Sequence, residues 1–296
     1  MTQRRQAMTR VDGGTGHGGG TDVAKGGDAL GRIGPLEVRL ARSPDEIDAA
    51  QALRYRIFYE EMSAVADRRT LCSRRDSDRF DAICDHLVVL DHDTPNAQPD
   101  HSSAGIVGTY RLLCKDLTDE RGLYTAGKFD LQPLFRRHPD LRFLEVGRSC
   151  ILPPYRSRRT LELLWHGVWA YCRRHRIDVM LGCASLQGTD PDQHAMVLSF
   201  LHHNARGEGE WAVAPLPGQR VSMDRMPAGA VDQRAVMKAL PPLLKGYLRL
   251  GAKIGDGAVV DAQFGTTVVL VVLPISLIAG RYIRHFGVEA ERHAAG

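Results

Sequence analysis

A strand, a long helix and a second strand follow one another near the middle of the sequence, and this unit restricts the fold most strongly. Residues 143–151 and 179–185 have the composition of strands, and residues 160–175 place their apolar side chains at helical spacing. Before this unit, residues 86–91 and 106–113 are β-branched runs separated by a polar turn, which is typical of an antiparallel pair. The sequence therefore predicts an α/β fold with one central mixed sheet flanked by helices.

The first 34 residues contain ten glycines and almost no large apolar side chain. Such a segment buries too little surface to offset the entropy lost on ordering, so residues 1–34 are predicted to be a disordered tail. Residues 35–296 are predicted to form a single domain. Its first helix is expected to begin after Ser43, in a capping box with Glu46, and to end near Met62. The other predicted elements are a first strand at 36–41, a helix at 190–203, an irregular connection at 204–234, a basic helix at 235–249 and final strands near 257–262 and 267–273.

Charge and cysteine content narrow the classes of protein that fit. The net charge of +4, from 39 basic and 35 acidic residues, permits an acidic partner but is too small to indicate a nucleic-acid binder. The six cysteines form no CxxC pair, which favours a reducing cytoplasm. No apolar signal segment follows the N-terminus, and the longest apolar stretch, 268–279, is shorter than the ~20 residues that span a bilayer. A cytoplasmic protein, soluble or peripheral to the membrane, is expected.

Basic residues are concentrated between positions 148 and 176, where seven arginines accompany a single acid, Glu162. The arginines are Arg148, Arg156, Arg158, Arg159, Arg173, Arg174 and Arg176. Residues 156–161 lead into the predicted helix but contain no glycine, so a close backbone approach to a cofactor pyrophosphate is disfavoured. A basic surface of this kind fits an acidic protein partner, and a solvated helix face is the alternative.

An acidic cluster precedes the strand at 86–91. It consists of Asp76, Asp78, Asp81 and Asp85. A bound amine is one interpretation, and ion pairs with the neighbouring arginines of residues 74–79 are the other. No metal site is predicted, because the cluster lacks the glycine and closing glutamate of a calcium loop. His194, His202 and His203 likewise have no carboxylate at a matching spacing.

Glu145 and Arg148 lie three positions apart on one predicted strand, so a regular strand would direct them to opposite faces. A bulge at Gly147 would bring both side chains into one cleft, where the carboxylate could accept a proton from an attacking amine. A structural ion pair is the alternative. Cys150 ends the same strand, but no Cys–His–Asn order supports a thiol nucleophile.

Taken together, seven segments resemble the ornithine-acyl carrier protein N-acyltransferases, also called hemolysin-like GNAT proteins. The segments are LRYRIFYEEM (53–62), DRFDAICDHLVVLD (78–91), IVGTYRLL (106–113), GLYTAGKFDL (122–131), LEVGRSCILPPYR (144–156), LGCASLQGTDPDQHA (181–195) and PPLLKGYLRLGAKIGDGAVVD (241–261). A more distant resemblance is to the acyl-homoserine lactone synthases, through Arg54 or Arg56, Phe58, Asp78, Asp81, Arg111, Glu145 and Arg148. One departure from the pattern is Val268, where an acid is expected after the paired threonines.

The resemblance implies a GNAT-like fold, with a mostly antiparallel central sheet, and an N-acyltransferase activity. The implied donor is a 3-hydroxyacyl group on the phosphopantetheine of acyl carrier protein, with no permanently bound cofactor. The implied acceptor is the α-amine of L-ornithine, and the product is lyso-ornithine lipid. Residues 156–161 lack the glycines that GNAT acetyltransferases use to bind coenzyme A, which agrees with a carrier-protein donor. Peripheral contact with the inner membrane fits a lipid product.

Residue roles follow from the same resemblance as expectations. Glu145 is expected to be the base, with Arg148 beside it. Backbone amides near Cys150 are the expected oxyanion donors. Asp78 and Asp81 are expected to bind the ornithine ammonium, and Arg111 or Arg148 its carboxylate. Arg54, Arg56 and Phe58 are expected to line the substrate pocket. Arg156, Arg158 and Arg159 are expected to bind the carrier protein. Two alternatives stay open, namely a lactone synthase that uses S-adenosylmethionine and a non-catalytic module that binds the carrier protein or a membrane.

Overall fold

Eight strands form one sheet in the order β1-β2-β3-β4-β5-β6-β8-β7 in the computed structural model, which describes residues 29–93, 105–118 and 122–278. Only β5 and β6 pair in parallel, and every other neighbouring pair is antiparallel. The strands are β1 (Ala29–Ile33), β2 (Leu36–Leu40), β3 (Asp85–Asp91), β4 (Ile106–Cys114), β5 (Phe143–Ile151), β6 (Val179–Gln187), β7 (Lys253–Asp261) and β8 (Thr266–Pro274). The predicted α/β fold with a mixed, mostly antiparallel sheet is confirmed.

Seven α-helices flank this sheet in the described part of the chain. They are α1 (Pro44–Tyr55), α2 (Arg68–Ser73), α3 (Gln132–Arg137), α4 (Arg158–His175), α5 (Ala195–Ala205), α6 (Gln233–Ala239) and α7 (Pro242–Arg249). Helix α4 makes the crossover that parallel pairing of β5 and β6 requires. It begins at Ser157, whose hydroxyl accepts a hydrogen bond from the Thr160 N–H, and it packs Leu164 and Val168 into the core. The helix ends at Arg176 in the left-handed conformation.

The first predicted helix is present but changes its hydrogen-bonding pattern. Ser43 caps α1 by accepting from the Glu46 N–H, as the capping box predicts. From Arg56 to Glu61 the helix continues as a π-helix. Such segments are rare and often occur at functional sites, and this one carries Phe58.

Three predicted boundaries are wrong. Strand β1 (Ala29–Ile33) lies within the segment predicted to be a disordered tail, so the tail prediction is wrong for these residues. The rest of that predicted tail, residues 1–28, lies outside the described residues. The predicted helix at 235–249 is two helices, α6 and α7, because Pro241 and Pro242 interrupt it. The strand predicted near 257–262 begins earlier, at Lys253.

Strand β8 explains the longest apolar stretch of the sequence. All nine residues of β8 are buried in the sheet, with β6 on one side and β7 on the other. Of the described helices, none is long and apolar enough to cross a membrane.

Strands β5 and β6 pair only over a short distance and then separate. Phe143 to Glu145 align with Val179 to Leu181, and no pairing follows. Gly182 lies where the strands still approach closely, since a Cβ atom there would be 2.2 Å from the carbonyl oxygen of Val146. Beyond this point the two strands form the walls of a gap in the middle of the sheet.

A bulge in β5 lies beside this gap. In the β4–β5 ladder, Thr109 pairs with Cys150 and Arg111 pairs with Gly147, so β5 has an extra residue. Arg148 has φ +53°, in the left-handed region that residues other than glycine seldom adopt. The predicted bulge is therefore present, one residue later than Gly147.

Candidate active site

A cavity of about 350 Å³ occupies the gap between β5 and β6. Its wall includes residues of the π-helix, of both strands, of α7 and of the β7–β8 hairpin, among them Phe58, Arg148, Ser149, Cys150, Gly182, Ala184, Leu244, Tyr247, Asp261, Phe264 and Thr266. Consecutive β6 residues in this wall pack on opposite faces of the sheet, Met180 with the α4 side and Leu181 with the other. The cavity therefore takes residues from both faces.

The α4 face of the cavity, called here the apolar side, is lined mainly by hydrocarbon. Met180, Val271 and Leu244 belong to this side. Polar groups on this side include two buried tyrosines, Tyr110 and Tyr247, whose hydroxyl oxygens are 2.7 Å apart. Burial raises the pKa of both hydroxyls, so both stay neutral and share a hydrogen bond.

The opposite face, called here the charged side, contains an ion pair. Lys128 Nζ lies 3.0 Å from Asp261 Oδ2, and the two side chains are 19% and 8% exposed. Burial disfavours the ammonium, but Tyr124 and Asp261 more than offset this and raise the pKa of Lys128. Asp261 is the one carboxylate among the described residues that line the cavity.

Arg148 enters the cavity wall between two aromatic rings. Its guanidinium carbon lies 4.7 Å from the ring centroid of Tyr124 and 4.9 Å from that of Phe264. The bulge directs the side chain toward Asp76 and Asp78, each paired with it at 3.0 Å. Burial opposes the charge, but these carboxylates and Tyr124 raise the pKa of Arg148, so it stays cationic.

Arg148 is one of three arginines that form a single ion-pair network with three aspartates. Arg54, which is fully buried, pairs with Asp76 at 2.8 Å and with Asp81 at 2.9 Å. Arg111 pairs with Asp78 at 2.6 Å and with Asp81 at 3.4 Å. Burial raises the pKa of Asp78, but Arg111 and Arg148 lower it overall, so its carboxylate stays ionised.

This network changes the interpretation of the predicted substrate-binding residues. Arg54, Asp78, Asp81 and Arg111 are brought together, but among the described residues none of the four lines the cavity. The carboxylates of Asp78 and Asp81 bind arginines rather than standing open to an ammonium ion. Two of the neighbours suggested by sequence have partners outside the acidic cluster, because Arg74 pairs with Glu60 and Arg75 with Asp48. The four residues support the wall that carries Arg148.

Glu145 lies beside the cavity without forming its described wall. One carboxylate oxygen accepts the backbone N–H of Tyr124 at 2.8 Å, and the other accepts that of Thr125 at 2.6 Å. Glu145 thereby fixes the 3₁₀ turn Tyr124–Gly127 that leads to Lys128. This geometry favours a positioning role over the predicted role as base.

The other predicted pocket residues have different positions. Cys150 lines the cavity, and burial raises the pKa of its thiol, which stays neutral and is a poor nucleophile. Phe58 lines the cavity and meets Phe264 edge-on at 5.9 Å between ring centroids. Arg56 is exposed and does not line the cavity.

The predicted basic face is divided. Arg156 lines the cavity edge and makes a two-pronged pair with Glu61, at 2.6 and 2.7 Å. Arg158, paired with Glu162 at 2.7 Å, and Arg159 are exposed on the first turn of α4. The exposed arginines 173, 174 and 176 lie at the far end of the same helix, about 25 Å away. Arg148 is not part of either group, because it is held in the network.

Several cavity residues were not predicted from the sequence. Lys128 and Asp261 lie in segments that resemble the acyltransferase family, and Thr266 is the first of the paired threonines, but no local pattern of charge or spacing marks them as cavity residues. Val268, which replaces an expected acid, is buried and lines the charged side. A carboxylate is nevertheless present there, because Asp261 belongs to the adjacent strand.

One group of potential metal ligands lies away from the cavity. His202, His203 and Asp224 each place a ligand atom within 4.8 Å of the others. His203 Nε2 already lies 2.9 Å from the Met226 carbonyl oxygen, and the Arg206 guanidinium is 3.4 Å from His202 Nε2. This cation and this hydrogen bond would compete with a metal ion, so the group does not support a site.

Comparisons with known proteins identify the family of the chain. Residues 53–166 match the acetyltransferase (GNAT) domain family. The chain is 54% identical over 272 residues to the L-ornithine N(alpha)-acyltransferase of Brucella abortus, covering 91% of this chain and 95% of that one. It is 52% identical over 274 residues to the enzyme of the same name from Agrobacterium fabrum, covering 92% of each. Among solved structures, FeeM, an N-acyl amino acid synthase from uncultured soil microbes, matches with a TM-score of 0.44 and 11% identity, over 81% of this chain and 91% of that chain. The chain therefore belongs to the L-ornithine N(alpha)-acyltransferase family and is an N-acyltransferase with a GNAT domain.

Proposed function

We propose that this protein transfers a 3-hydroxyacyl group from acyl carrier protein to the α-amine of L-ornithine. The amine nitrogen attacks the thioester carbon, a C–N bond forms, and the C–S bond breaks. The amine loses one proton, and the carrier's phosphopantetheine leaves as a thiol after taking up a proton. The product is lyso-ornithine lipid, and its formation is the first step of ornithine lipid synthesis.

The observation that carries this proposal is a cavity with two unlike sides, located where the sheet opens. The apolar side suits a fatty acyl chain, because its described wall is mostly hydrocarbon. The charged side offers Lys128, Asp261 and Arg148 to a small charged acceptor. The reacting atoms would meet between β5 and β6, where the two sides join.

The chemistry asks little of the protein beyond positioning. An α-amine has a pKa of about 8 at a peptide N-terminus and a higher one in a free amino acid, so the neutral form that attacks is a minor species near pH 7. Backbone amides of the bulge near Ser149 and Cys150 would stabilise the oxyanion that develops on the thioester carbonyl. Glu145 would act by holding the turn that carries Tyr124 and leads to Lys128.

The donor and the location belong to the same proposal. Residues 156–161 have no glycine at the N-terminus of α4, which disfavours a coenzyme A pyrophosphate and leaves the first-turn arginines for an acidic carrier protein. No permanently bound cofactor is part of the scheme. An amphiphilic product fits a cytoplasmic enzyme with peripheral contact at the inner membrane.

A mass-spectrometric end-point assay tests the proposal. Purified protein is incubated with 3-hydroxyhexadecanoyl-acyl carrier protein and, separately, with ornithine, lysine, glutamine or S-adenosylmethionine. We expect a product with the mass of 3-hydroxyacyl-ornithine. Transfer to S-adenosylmethionine alone would instead identify a lactone synthase. No transfer by folded protein that still binds the carrier would identify a non-catalytic binding module.

A further inference from the structure

We infer that Lys128 and Asp261 are the specificity-determining pair for the acceptor, with Lys128 binding its α-carboxylate and Asp261 its side-chain ammonium. The inference rests on the proposed function and assigns residues that sequence analysis did not single out. It begins from a count of charges in the described wall of the cavity. Asp261 is the one carboxylate there, and Lys128 lies 3.0 Å from it.

The charges of the reactive acceptor complement this pair. For attack, the α-amine of a diamino acid must be neutral, which leaves one carboxylate and one side-chain ammonium. When this molecule inserts between Lys128 and Asp261, the Lys128–Asp261 ion pair is lost and two ion pairs replace it. One joins Lys128 to the carboxylate of the acceptor, and the other joins Asp261 to its side-chain ammonium. The charge of the cavity is thereby matched at both ends, whereas an uncharged side chain would leave Asp261 without a cation.

Insertion requires one side chain of the pair to move and the other to stay in place. Lys128 has a four-carbon stem that can turn aside to admit a ligand. Asp261 ends β7, and its Oδ1 accepts the Phe264 N–H at 3.2 Å, so the carboxylate is anchored at the hairpin. The fixed carboxylate would select the ligand, and the flexible lysine would close on it.

A second observation at the same place points to a ligand with a hydrogen-bond donor. Thr266 is directly opposite Asp261 in the β7–β8 ladder, so the two side chains emerge on the same face. It is 1% exposed and lines the cavity, and its hydroxyl oxygen has no hydrogen-bond partner. A buried hydroxyl without a hydrogen-bond partner destabilises the fold, because it has lost its contacts with water. An ammonium ion held by Asp261 would supply the missing donor.

The test compares L-ornithine with L-norvaline, which is the same amino acid without the terminal amine. Steady-state acylation is measured for the wild-type enzyme and for Asp261→Asn, which keeps an oxygen for the Phe264 N–H. Asp256→Asn is the matched control, because Asp256 is on the same strand, pairs with Arg220 at 3.0 Å and does not line the cavity. Calorimetric binding of both amino acids without the donor gives a second readout.

For Asp261→Asn we expect a loss of about tenfold in the preference for ornithine over norvaline, equivalent to about 1.4 kcal/mol. The KM for the acyl donor should not change. Lys128→Gln should instead weaken ornithine and norvaline equally, because both have the carboxylate. Asp256→Asn should leave the preference at the wild-type value.

The inference and the proposed function can fail separately. If the wild-type enzyme acylates ornithine but Asp261→Asn retains the full preference over norvaline, the assignment of Asp261 is wrong and the function stands. The assignment of Asp261 is also wrong if Asp261→Asn loses no more of the preference for ornithine than Asp256→Asn does. If the wild-type protein neither acylates nor binds ornithine, the proposed function is wrong and this inference with it.

Discussion

Arg148 shows how one residue can serve the fold and the site together. It forms the β5 bulge with a left-handed backbone, which costs about 1 kcal/mol or more in a residue other than glycine. That cost is offset because the bulge turns the guanidinium toward Asp76 and Asp78 and between two aromatic rings. The strained conformation therefore follows from the contacts that the side chain makes.

Replacement of Arg148 by Ala should destabilise the fold by about 3 kcal/mol, because it leaves two largely buried carboxylates with one arginine fewer. Arg148→Lys should lose about half as much, since lysine keeps the charge but not the fork that reaches both carboxylates. Urea denaturation followed by circular dichroism measures both. Arg158→Ala is the control, and because its side chain is 85% exposed we expect a change within about 0.5 kcal/mol. Equal effects at the two positions would contradict the role given to the network.

The limits of sequence prediction are clearest at the level of single residues. Glu145 and Arg148 were predicted from a local argument, three positions apart on a strand, and the bulge that it required is present. The partners of Asp78 and Asp81 were not predictable in this way. They come from α1, β4 and β5, between 27 and 70 residues away, so only the folded chain brings the charges together.

At the level of elements, α4 separates its basic residues into two groups. The first turn carries Arg158 and Arg159 close to the cavity edge, and the last turn carries Arg173 and Arg174. The sequence analysis grouped these residues as one basic region, because a count of charges does not show how far apart they lie. The helix is about 27 Å long, so its two ends form separate surfaces. The caps of α1 and α4 were more predictable, since a cap depends only on neighbouring residues.

The two ends of α4 provide a matched test of carrier-protein docking. Arg158→Glu/Arg159→Glu should raise the KM for the acyl-carrier donor about tenfold at low salt, and the effect should shrink as salt screens the charges. Arg173→Glu/Arg174→Glu makes the same change of charge at the far end and should leave this KM unchanged. Steady-state kinetics at two salt concentrations measures the difference.

Stability cannot explain such a result, because the helix dipole acts in the opposite sense. Acidic residues favour a helix N-terminus and disfavour its C-terminus, by about 0.3–1 kcal/mol each. The variant expected to lose donor affinity is therefore expected to be the more stable of the two. An equal rise in KM for both variants would place docking elsewhere.

For the whole molecule, the main feature is a sheet that opens between β5 and β6, with a cavity wall drawn from both faces. The strands were largely predictable, because each is a short run with its own composition. The gap was not, because it depends on where β5 and β6 stop pairing, and on a bulge whose residue sits one place later than predicted. With unlike sides, the cavity can hold an acyl donor and a charged acceptor at the same time.

This architecture leads to a kinetic prediction of direct transfer without an acyl-enzyme. Cys150 is the cysteine that the sequence places on the β5 strand beside Glu145 and Arg148, and burial raises the pKa of its thiol, which therefore stays protonated and weakly nucleophilic. We expect intersecting lines when initial rates are measured against both substrates, as a ternary complex requires. Intact-protein mass spectrometry after incubation with donor alone should show no added acyl mass.

Cys150→Ala separates packing from chemistry at the same position. Cys150 belongs to the same buried apolar cluster as Ile57, so removal of its thiol should reduce stability by about 1 kcal/mol while transfer stays within about threefold of wild type. The exposed Cys72, replaced by Ala, controls for the loss of a thiol without loss of packing. Parallel initial-rate lines, together with an acyl adduct that disappears in Cys150→Ala, would establish a covalent route. In that case the two sides of the cavity would be occupied in turn, and simultaneous binding of donor and acceptor would no longer explain why the sheet opens.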